Sequence, residues 1–275
     1  MNARRQGFST ERLLESLARL PRPRRYRVGF SGGADSTALL QALFELQDRL
    51  EAPLRAVHFD HGLQQGSKDW QARCRTFCEE RDIPFHGERL DVRSGNRRSI
   101  EEEARNCRYR AVAELLGEEE MYLTAHHAED QAETLFLNLM RGSGIEGLAG
   151  IPVLRNLEHG WVARPMLETR REELEAFLRA RDIGWLNDPS NDDTSFDRNY
   201  LRRELFPVLE KRWPGMVQRL SRTARNARIS ASAMARPVAS ASTSGGRIIG
   251  RCLAPVLPSA SMRRCSRSMI SPFSA

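Results

Sequence analysis

The sequence predicts an α/β protein built on a doubly wound parallel sheet, with a helical extension. Short apolar segments alternate with amphipathic ones from residue 25 to residue 140, and this alternation is typical of a parallel sheet covered on both faces. Three of the predicted strands end in polar clusters, at residues 31–36, 58–61 and 126–130. Since ligands bind beyond the carboxyl ends of parallel strands, we expect these clusters to meet in one cleft.

A glycine turn separates the first predicted strand from the helix that follows. Val28 and Phe30 alternate with smaller residues as in a short buried strand, and leucines recur at helical spacing from Leu39 onward. Free N–H groups at a helix start, two glycines and two hydroxyls together suit a phosphate. An ordinary Gly-Gly turn is the alternative. The residues predicted to bind ATP here are Ser31, Gly32, Gly33, Ala34, Asp35 and Ser36.

The remaining predicted elements follow in chain order. Further strands are expected at residues 54–60, 85–92 and 121–125, further helices at 66–80, 100–116, 131–140 and 169–181, and a turn-like break at 155–160. In the last of these helices Thr169 is the expected N-cap. We divide the chain into an N-terminal helix (1–20), an ATP-binding core (21–150), a helical extension of the same domain (151–212) and a basic, low-complexity tail (213–275).

The net charge of +7 describes the tail and not the predicted core. Residues 211–275 contain twelve basic and no acidic side chains, so they carry +12 whereas residues 1–210 carry −5. The charge alone therefore does not make the core a nucleic-acid-binding domain.

Cysteine usage and the N-terminus predict a cytoplasmic protein. The five cysteines are an odd number without the close spacing of a disulfide scaffold. Glu11 and Glu15 stand where an export signal would be apolar. Cys74 and Cys78 lie four residues apart on a predicted helix, which favours packed thiols.

Four of the six histidines fall in two clusters. His58, Asp60 and His61 could form half of a metal site, and His126, His127 and Asp130 the other half. The alternative for the first cluster is that its histidines orient a loop under a nucleotide. A metal-dependent hydrolase therefore stays open as one function class.

Several motifs occur in the order seen in the tRNA(Ile)-lysidine synthases, a family of N-type ATP pyrophosphatases with a PP-loop. The resemblance covers roughly residues 22–212. Its motifs are Ser31-Gly-Gly-Ala-Asp-Ser36, His58-Phe-Asp-His-Gly-Leu63, Glu101-Glu-Glu-Ala-Arg105, Thr124-Ala-His-His-Ala-Glu-Asp-Gln-Ala-Glu-Thr134, Arg141-Gly-Ser-Gly144, Arg164-Pro-Met-Leu167 and Asp188-Pro-Ser-Asn191. A related cytidine thiolase uses paired Cys-x-x-Cys ligands, and this sequence has none.

The resemblance implies a Rossmann-like, adenine-nucleotide alpha-hydrolase-like sheet and a ligase that uses ATP and Mg²⁺. ATP would activate C2 of the wobble cytidine of a tRNA(Ile) with a CAU anticodon, with release of pyrophosphate. The amine of free L-lysine would then displace AMP. The residues expected to be catalytic are Asp35, Asp130 and Arg105, with Asp35 also as the metal ligand and His58, Asp60 and His61 beside the nucleotide.

Further roles follow from the same resemblance. Asp130 and Glu133 share a helix face, which suits a cationic lysine. Arg105 and Arg108 could instead lie on a solvated face, paired with Glu101 to Glu103. The side chains expected to contact tRNA are Arg108, Arg141, Arg198, Arg202 and Arg203.

The C-terminal part resembles no family domain. From residue 235 onward Ser, Ala, Arg and Pro dominate without a helical or strand period. A truncated or frame-shifted reading frame is one interpretation, and a basic RNA-binding arm is another. An ATP-binding protein that is inactive through loss of its C-terminal region is therefore a third function class.

Overall fold

Six strands form the sheet at the centre of the structure, in the order β3-β2-β1-β4-β6-β5. The computed structural model describes residues 7–60, 67–91, 97–188 and 192–234. The strands are β1 (Arg25–Gly29), β2 (Leu54–Asp60), β3 (Phe85–Arg89), β4 (Glu120–Leu123), β5 (Leu154–Leu157) and β6 (Gly160–Ala163). All neighbouring pairs are parallel except β5 with β6. The α/β class and the parallel sheet are thus confirmed, with an antiparallel strand at one edge.

Ten α-helices are described along these parts of the chain. They are α1 (Thr10–Leu17), α2 (Ala34–Glu45), α3 (Ser67–Glu79), α4 (Arg97–Leu115), α5 (Ala128–Met140), α6 (Ile145–Leu148), α7 (Arg171–Arg179), α8 (Asp197–Tyr200), α9 (Phe206–Arg212) and α10 (Met216–Met234). A π-type turn over Leu201–Leu205 joins α8 to α9. None of the helices among these described residues combines the length and apolarity needed to cross a bilayer.

The largest apolar core lies on the face of the sheet covered by α1, α2 and α7. Helix α2 is buried along most of its length, and its Leu39, Leu40 and Leu43 pack with Leu13 of α1 and Leu174 of α7. Helix α4 covers the other face. Because α2 packs against α1, α7 and the sheet, it fixes the position of the loop that precedes it.

Residues 154–163 form a hairpin and not the turn-like break expected within a helical extension. Strand β6 pairs with β4 and so continues the main sheet, and β5 closes its edge. Both strands have only four residues, which is too short for alternation to stand out in the sequence. The helix that follows is also shorter than predicted, and its N-cap is Arg170 instead of Thr169.

The folded part of the chain extends beyond residue 213, where the tail was expected to begin. Helix α10 packs its Met216 and Val217 against Ala132 of α5 and Phe206 of α9. Helix α10 continues to Met234 within one compact unit. The many Arg, Ser and Ala residues of α10 conceal its apolar stripe, in which Val217, Leu220 and Ala224 recur at helical spacing.

This packing predicts different effects for two truncations. Deleting residues 216–275 removes α10 and exposes its partners on α5 and α9, which should cost about 3 kcal/mol or more for the loss of Met216, Val217 and Leu220 burial. Deleting residues 237–275 leaves the compact unit whole and should leave the unfolding midpoint within about 2 °C of the full chain. Urea and thermal unfolding would measure both, and equal destabilisation by the two deletions would contradict the boundary.

Candidate active site at the carboxyl edge of the sheet

The loop between β1 and α2 is shaped by its own two serines. The Ser31 and Ser36 hydroxyl oxygens lie 3.0 Å apart, and the Ser31 N–H donates to Ser36 Oγ at 3.2 Å. Gly33 is the N-cap of α2 and has no side chain to occupy the helix end. The first N–H groups of α2 therefore face outward without intrahelical partners, which is the arrangement that binds phosphate.

Gly32 is required by the packing behind the loop. Its φ of +79° lies in the left-handed region, and a Cβ there would come within 2.7 Å of Leu186 Cδ1 and 2.9 Å of Cys74 Sγ. Leu186 N–H donates to the Gly32 carbonyl at 2.8 Å, and Trp70 Nε1 donates to the Ser31 carbonyl at 2.5 Å. These two supports come from distant segments, and no sequence signal identified them.

Cys74 and Cys78 are buried thiols, as the packed interpretation predicts. Burial raises the pKa of both to about 12. At neutral pH they are therefore protonated and unsuited to metal binding or nucleophilic chemistry.

His58 supports the end of β1 from the neighbouring strand. Its Nδ1 lies 2.8 Å from the Phe30 carbonyl, to which it donates a hydrogen bond. Burial lowers its pKa, so the ring is neutral at physiological pH. Asp60 is buried nearby at the end of β2, and His61 lies outside the described residues. Among the residues that are described, no group of three His, Cys, Asp or Glu side chains is arranged to hold a metal ion.

His127 lies at the centre of a cluster of carboxylates between α2 and α5. The side chain is 1% exposed, and its Nε2 lies 3.5 Å from oxygens of both Asp35 and Asp130. Its Nδ1 lies 3.0 Å from Glu129 Oε2. Although burial opposes the charge, the carboxylates of Asp130, Asp35 and Glu129 raise the pKa of His127 well above its ordinary value. The ring is therefore an imidazolium that joins two helix N-termini.

The same cluster keeps Glu129 and Asp130 ionised. Burial works against ionisation, but the hydrogen bond with His127 lowers the pKa of Glu129 to about 2. The charge of His127 likewise lowers the pKa of Asp130 to about 2 against its burial. Glu129 also accepts from Arg170 Nε at 2.6 Å and from the Arg171 N–H at 3.0 Å. These two hydrogen bonds connect the start of α7 to the same cluster.

Glu133 is fully buried one turn further along α5. Arg202 donates to its Oε1 at 2.9 Å and lies 3.5 Å from Asp130 Oδ1. The other oxygen, Oε2, has no hydrogen-bond partner and lies 3.8 Å from Arg198 Nη1. Burial raises the pKa of Glu133. The two acids predicted to bind lysine therefore share one face and retain one buried, unused acceptor atom.

His126 differs from its neighbour. Its Nδ1 lies 2.8 Å from Thr124 Oγ1, and burial lowers its pKa to about 4. The two adjacent histidines therefore hold different charges at neutral pH, with His126 neutral and His127 positive.

The arginines predicted to contact the substrates lie in different parts of the structure, and some of them are away from this site. Arg105 and Arg108 are exposed on α4. Arg198 donates to Thr134 Oγ1 at 3.2 Å, and Arg203 pairs with Asp192. Arg141 follows the last residue of α5, eleven residues from Asp130 and hence roughly 16 Å away along the helix. Any contact that Arg141 makes with RNA would be outside the cleft.

The pKa of Glu129 leads to a prediction for stability. Its folded pKa of about 2 lies below the usual 4.5, so its contribution is present above pH 4.5 and is lost as pH falls toward 2. Glu129→Gln should lower the free energy of unfolding by about 2 to 3 kcal/mol at pH 7, and this difference should shrink by pH 3. Urea unfolding at several pH values measures it. Glu172→Gln, at an exposed neighbour of Arg170, is the control, and a difference for Glu129→Gln that does not change with pH would contradict the assignment.

Comparison with known proteins agrees with this geometry. The PP-loop domain family matches residues 8–209. The chain is 45% identical to the tRNA(Ile)-lysidine synthase of Pseudomonas syringae pv. tomato over 78% of this chain and 48% of that protein. It is 37% identical to that of Coxiella burnetii over 80% of this chain and 49% of that protein. The chain thus spans about half the length of the curated relatives it matches.

A solved structure has the same fold. The U34-tRNA thiolase NcsA from Methanococcus maripaludis, with its [4Fe-4S] cluster, superposes with a TM-score of 0.64 over 79% of this chain and 77% of that one, at 18% identity. The likeness concerns the fold alone. Since the family match covers most of the sequence and the loop has the phosphate-binding geometry described above, the chain belongs to the PP-loop domain family.

Proposed function

We propose that the chain is an ATP-dependent ligase that joins L-lysine to C2 of the wobble cytidine of a tRNA(Ile) with a CAU anticodon, giving lysidine, AMP and pyrophosphate. One observation carries the proposal: His127 at the start of α5 lies 3.5 Å from Asp35 in the first turn of α2, which brings the open N-terminus of α2 beside the acidic start of α5. An anion site and a cation site are thereby brought together. The resemblance to tRNA(Ile)-lysidine synthases supports the choice of substrates.

The loop would bind the pyrophosphate that leaves ATP. In the first step the C2 carbonyl oxygen of cytidine attacks the α-phosphorus, and the bond to the β-phosphate oxygen breaks. The N–H groups of residues 32–36 and the hydroxyls of Ser31 and Ser36 would stabilise the charge that develops on the leaving group. His58, by fixing the Phe30 carbonyl, would keep the start of this loop in position.

Asp35 has the chemistry of a magnesium ligand. Its Oδ1 is buried and lacks a hydrogen-bond partner, and the side chain projects from the first turn of the phosphate-binding helix. Magnesium sites at nucleotides typically use one or two carboxylates together with phosphate oxygens. The metal would neutralise the phosphates, while His127, 3.5 Å from Asp35, would hold that side chain in place.

Asp130 and Glu133 would receive the cationic lysine. The unused Oε2 of Glu133 can accept a hydrogen bond from an ammonium group. In the second step the bound ammonium first gives a proton to one of these carboxylates; the neutral amine then attacks C2, loses a second proton and displaces AMP. Arg202 would pair with both acids until the amine arrives.

The exposed arginines would position the RNA. Arg105 and Arg108 lie exposed on α4, where Arg105 would steady the adenylate phosphate or the RNA backbone. Arg198 and Arg203 would contact the backbone beyond α5, with Arg141 further out. Arg202 donates a hydrogen bond to Glu133 in this structure. Arg202 would therefore contact tRNA only after that hydrogen bond breaks.

The function is tested by pyrophosphate release with ATP, lysine and a CAU-anticodon tRNA(Ile). Asp35→Asn should lower the rate roughly 100-fold, because it removes a charged metal ligand from the leaving-group site. Asp48→Asn, at an exposed turn, is the matched control and should retain full activity. Full activity of Asp35→Asn would contradict the role given to this residue. Activity without lysine or tRNA would contradict the proposed reaction.

A further inference from the structure

Three arginines from different parts of the chain converge on Tyr109 of α4. The guanidinium carbons of Arg105 and Arg155 lie 5.8 and 5.5 Å from the centre of the tyrosine ring. Arg164 Nη2 donates to the tyrosine hydroxyl oxygen at 2.9 Å. These residues come from α4, from β5 and from the end of β6. From this convergence we propose that Tyr109, Arg105 and Arg155, held in place by Arg164, bind a phosphodiester of the RNA substrate.

Within the described part of the chain, this cluster has positive charge without a carboxylate to balance it. Among the described residues, no Asp or Glu lies within ion-pair distance of Arg105, Arg155 or Arg164. Many other exposed arginines are paired, as Arg22 is with Glu51 and Arg179 with Glu175. Gathering like charges is unfavourable unless an anion joins them. A bound phosphate would supply that anion.

Arg164 acts as the positioning residue of the cluster. It is 3% exposed, and its Nη1 donates to the Pro152 carbonyl at 3.0 Å. Its Nε is buried without a hydrogen-bond partner. Because Arg164 donates to the Tyr109 oxygen, the tyrosine proton is free to donate to an incoming acceptor.

Arg105 and Arg155 supply the outer part of the site. Both are exposed, and both lie at cation-π distance from the Tyr109 ring, which restricts their motion. The site therefore offers two accessible guanidinium groups and one hydroxyl donor, a set that matches the oxygens of a phosphodiester.

The location favours RNA over the phosphates of ATP. Arg164 directly follows β6, whose Ala163 pairs with Leu123 of β4, and β4 leads to His126 in the cleft. Strand β6 is two strands from β1, so the cluster lies about 10 Å to the side of the pyrophosphate loop. A substrate strand that places one base in the cleft would pass this site. The inference therefore rests on the proposed function.

The test uses the full chain and a fluorescent CAU-anticodon stem-loop, with affinity measured at several salt concentrations. Arg155→Gln should weaken binding about 3- to 10-fold and reduce the slope of log affinity against log salt by about 1. Tyr109→Phe should weaken binding about 2- to 5-fold. ATP affinity without RNA should be unchanged in both. Arg22→Gln removes the same charge three residues before β1, at the amino end of the parallel strands, where the Arg22 side chain is 84% exposed, and should have no effect.

Wild-type affinity and salt slope in both Arg155→Gln and Tyr109→Phe would overturn the inference, as would an equal loss in Arg22→Gln. If wild-type protein releases pyrophosphate in an RNA-dependent way while these variants bind RNA normally, only the inference fails. If the wild-type chain neither binds the stem-loop nor releases pyrophosphate, the proposed function fails with it. Thermal unfolding of each variant separates lost binding from lost structure.

Discussion

The buried imidazolium of His127 is the interaction on which the site depends. It contacts Asp35 at the start of α2 and both Glu129 and Asp130 at the start of α5. Without a positive charge at this point, three carboxylates would repel one another in a setting where water screens poorly. Glu129 extends the network to Arg170 at the start of α7. One protonated ring therefore determines how three helix N-termini meet at the edge of the sheet.

The residues at the start of α2 suit an anion, whereas those in the first turns of α5 suit a cation. The start of α2 presents N–H groups and small side chains, which favour phosphate. The next turn of α5 presents Asp130 and Glu133, which favour an ammonium group. The exposed Arg105, Arg108 and Arg155 lie on α4 and β5, whereas Arg198 and Arg202 contact Glu133 directly. In the proposed reaction, ATP, lysine and RNA would thus each meet side chains of a different kind.

Much of the fold and part of the site could be predicted because the signals are local. The loop at residues 31–36 contains its glycines, serines and helix start within six residues, and the parallel strands place their ends together. The rest depends on contacts between distant segments. Trp70 and Leu186 support the loop, and Arg164 meets Tyr109 across 55 residues, which one sequence cannot reveal. The β5–β6 hairpin and α10 were missed because four-residue strands and an arginine-rich helix give weak periodic signals.

The most direct measurement follows the γ-phosphate of labelled ATP during the reaction with lysine and a CAU-anticodon tRNA(Ile). A loop that binds a leaving pyrophosphate predicts that the label appears in pyrophosphate, with one AMP formed for each lysine joined to tRNA. Label in orthophosphate, with ADP as the partner product, would mean that the γ-phosphoryl group is transferred or hydrolysed. That result would contradict the role assigned to the α2 N-terminus.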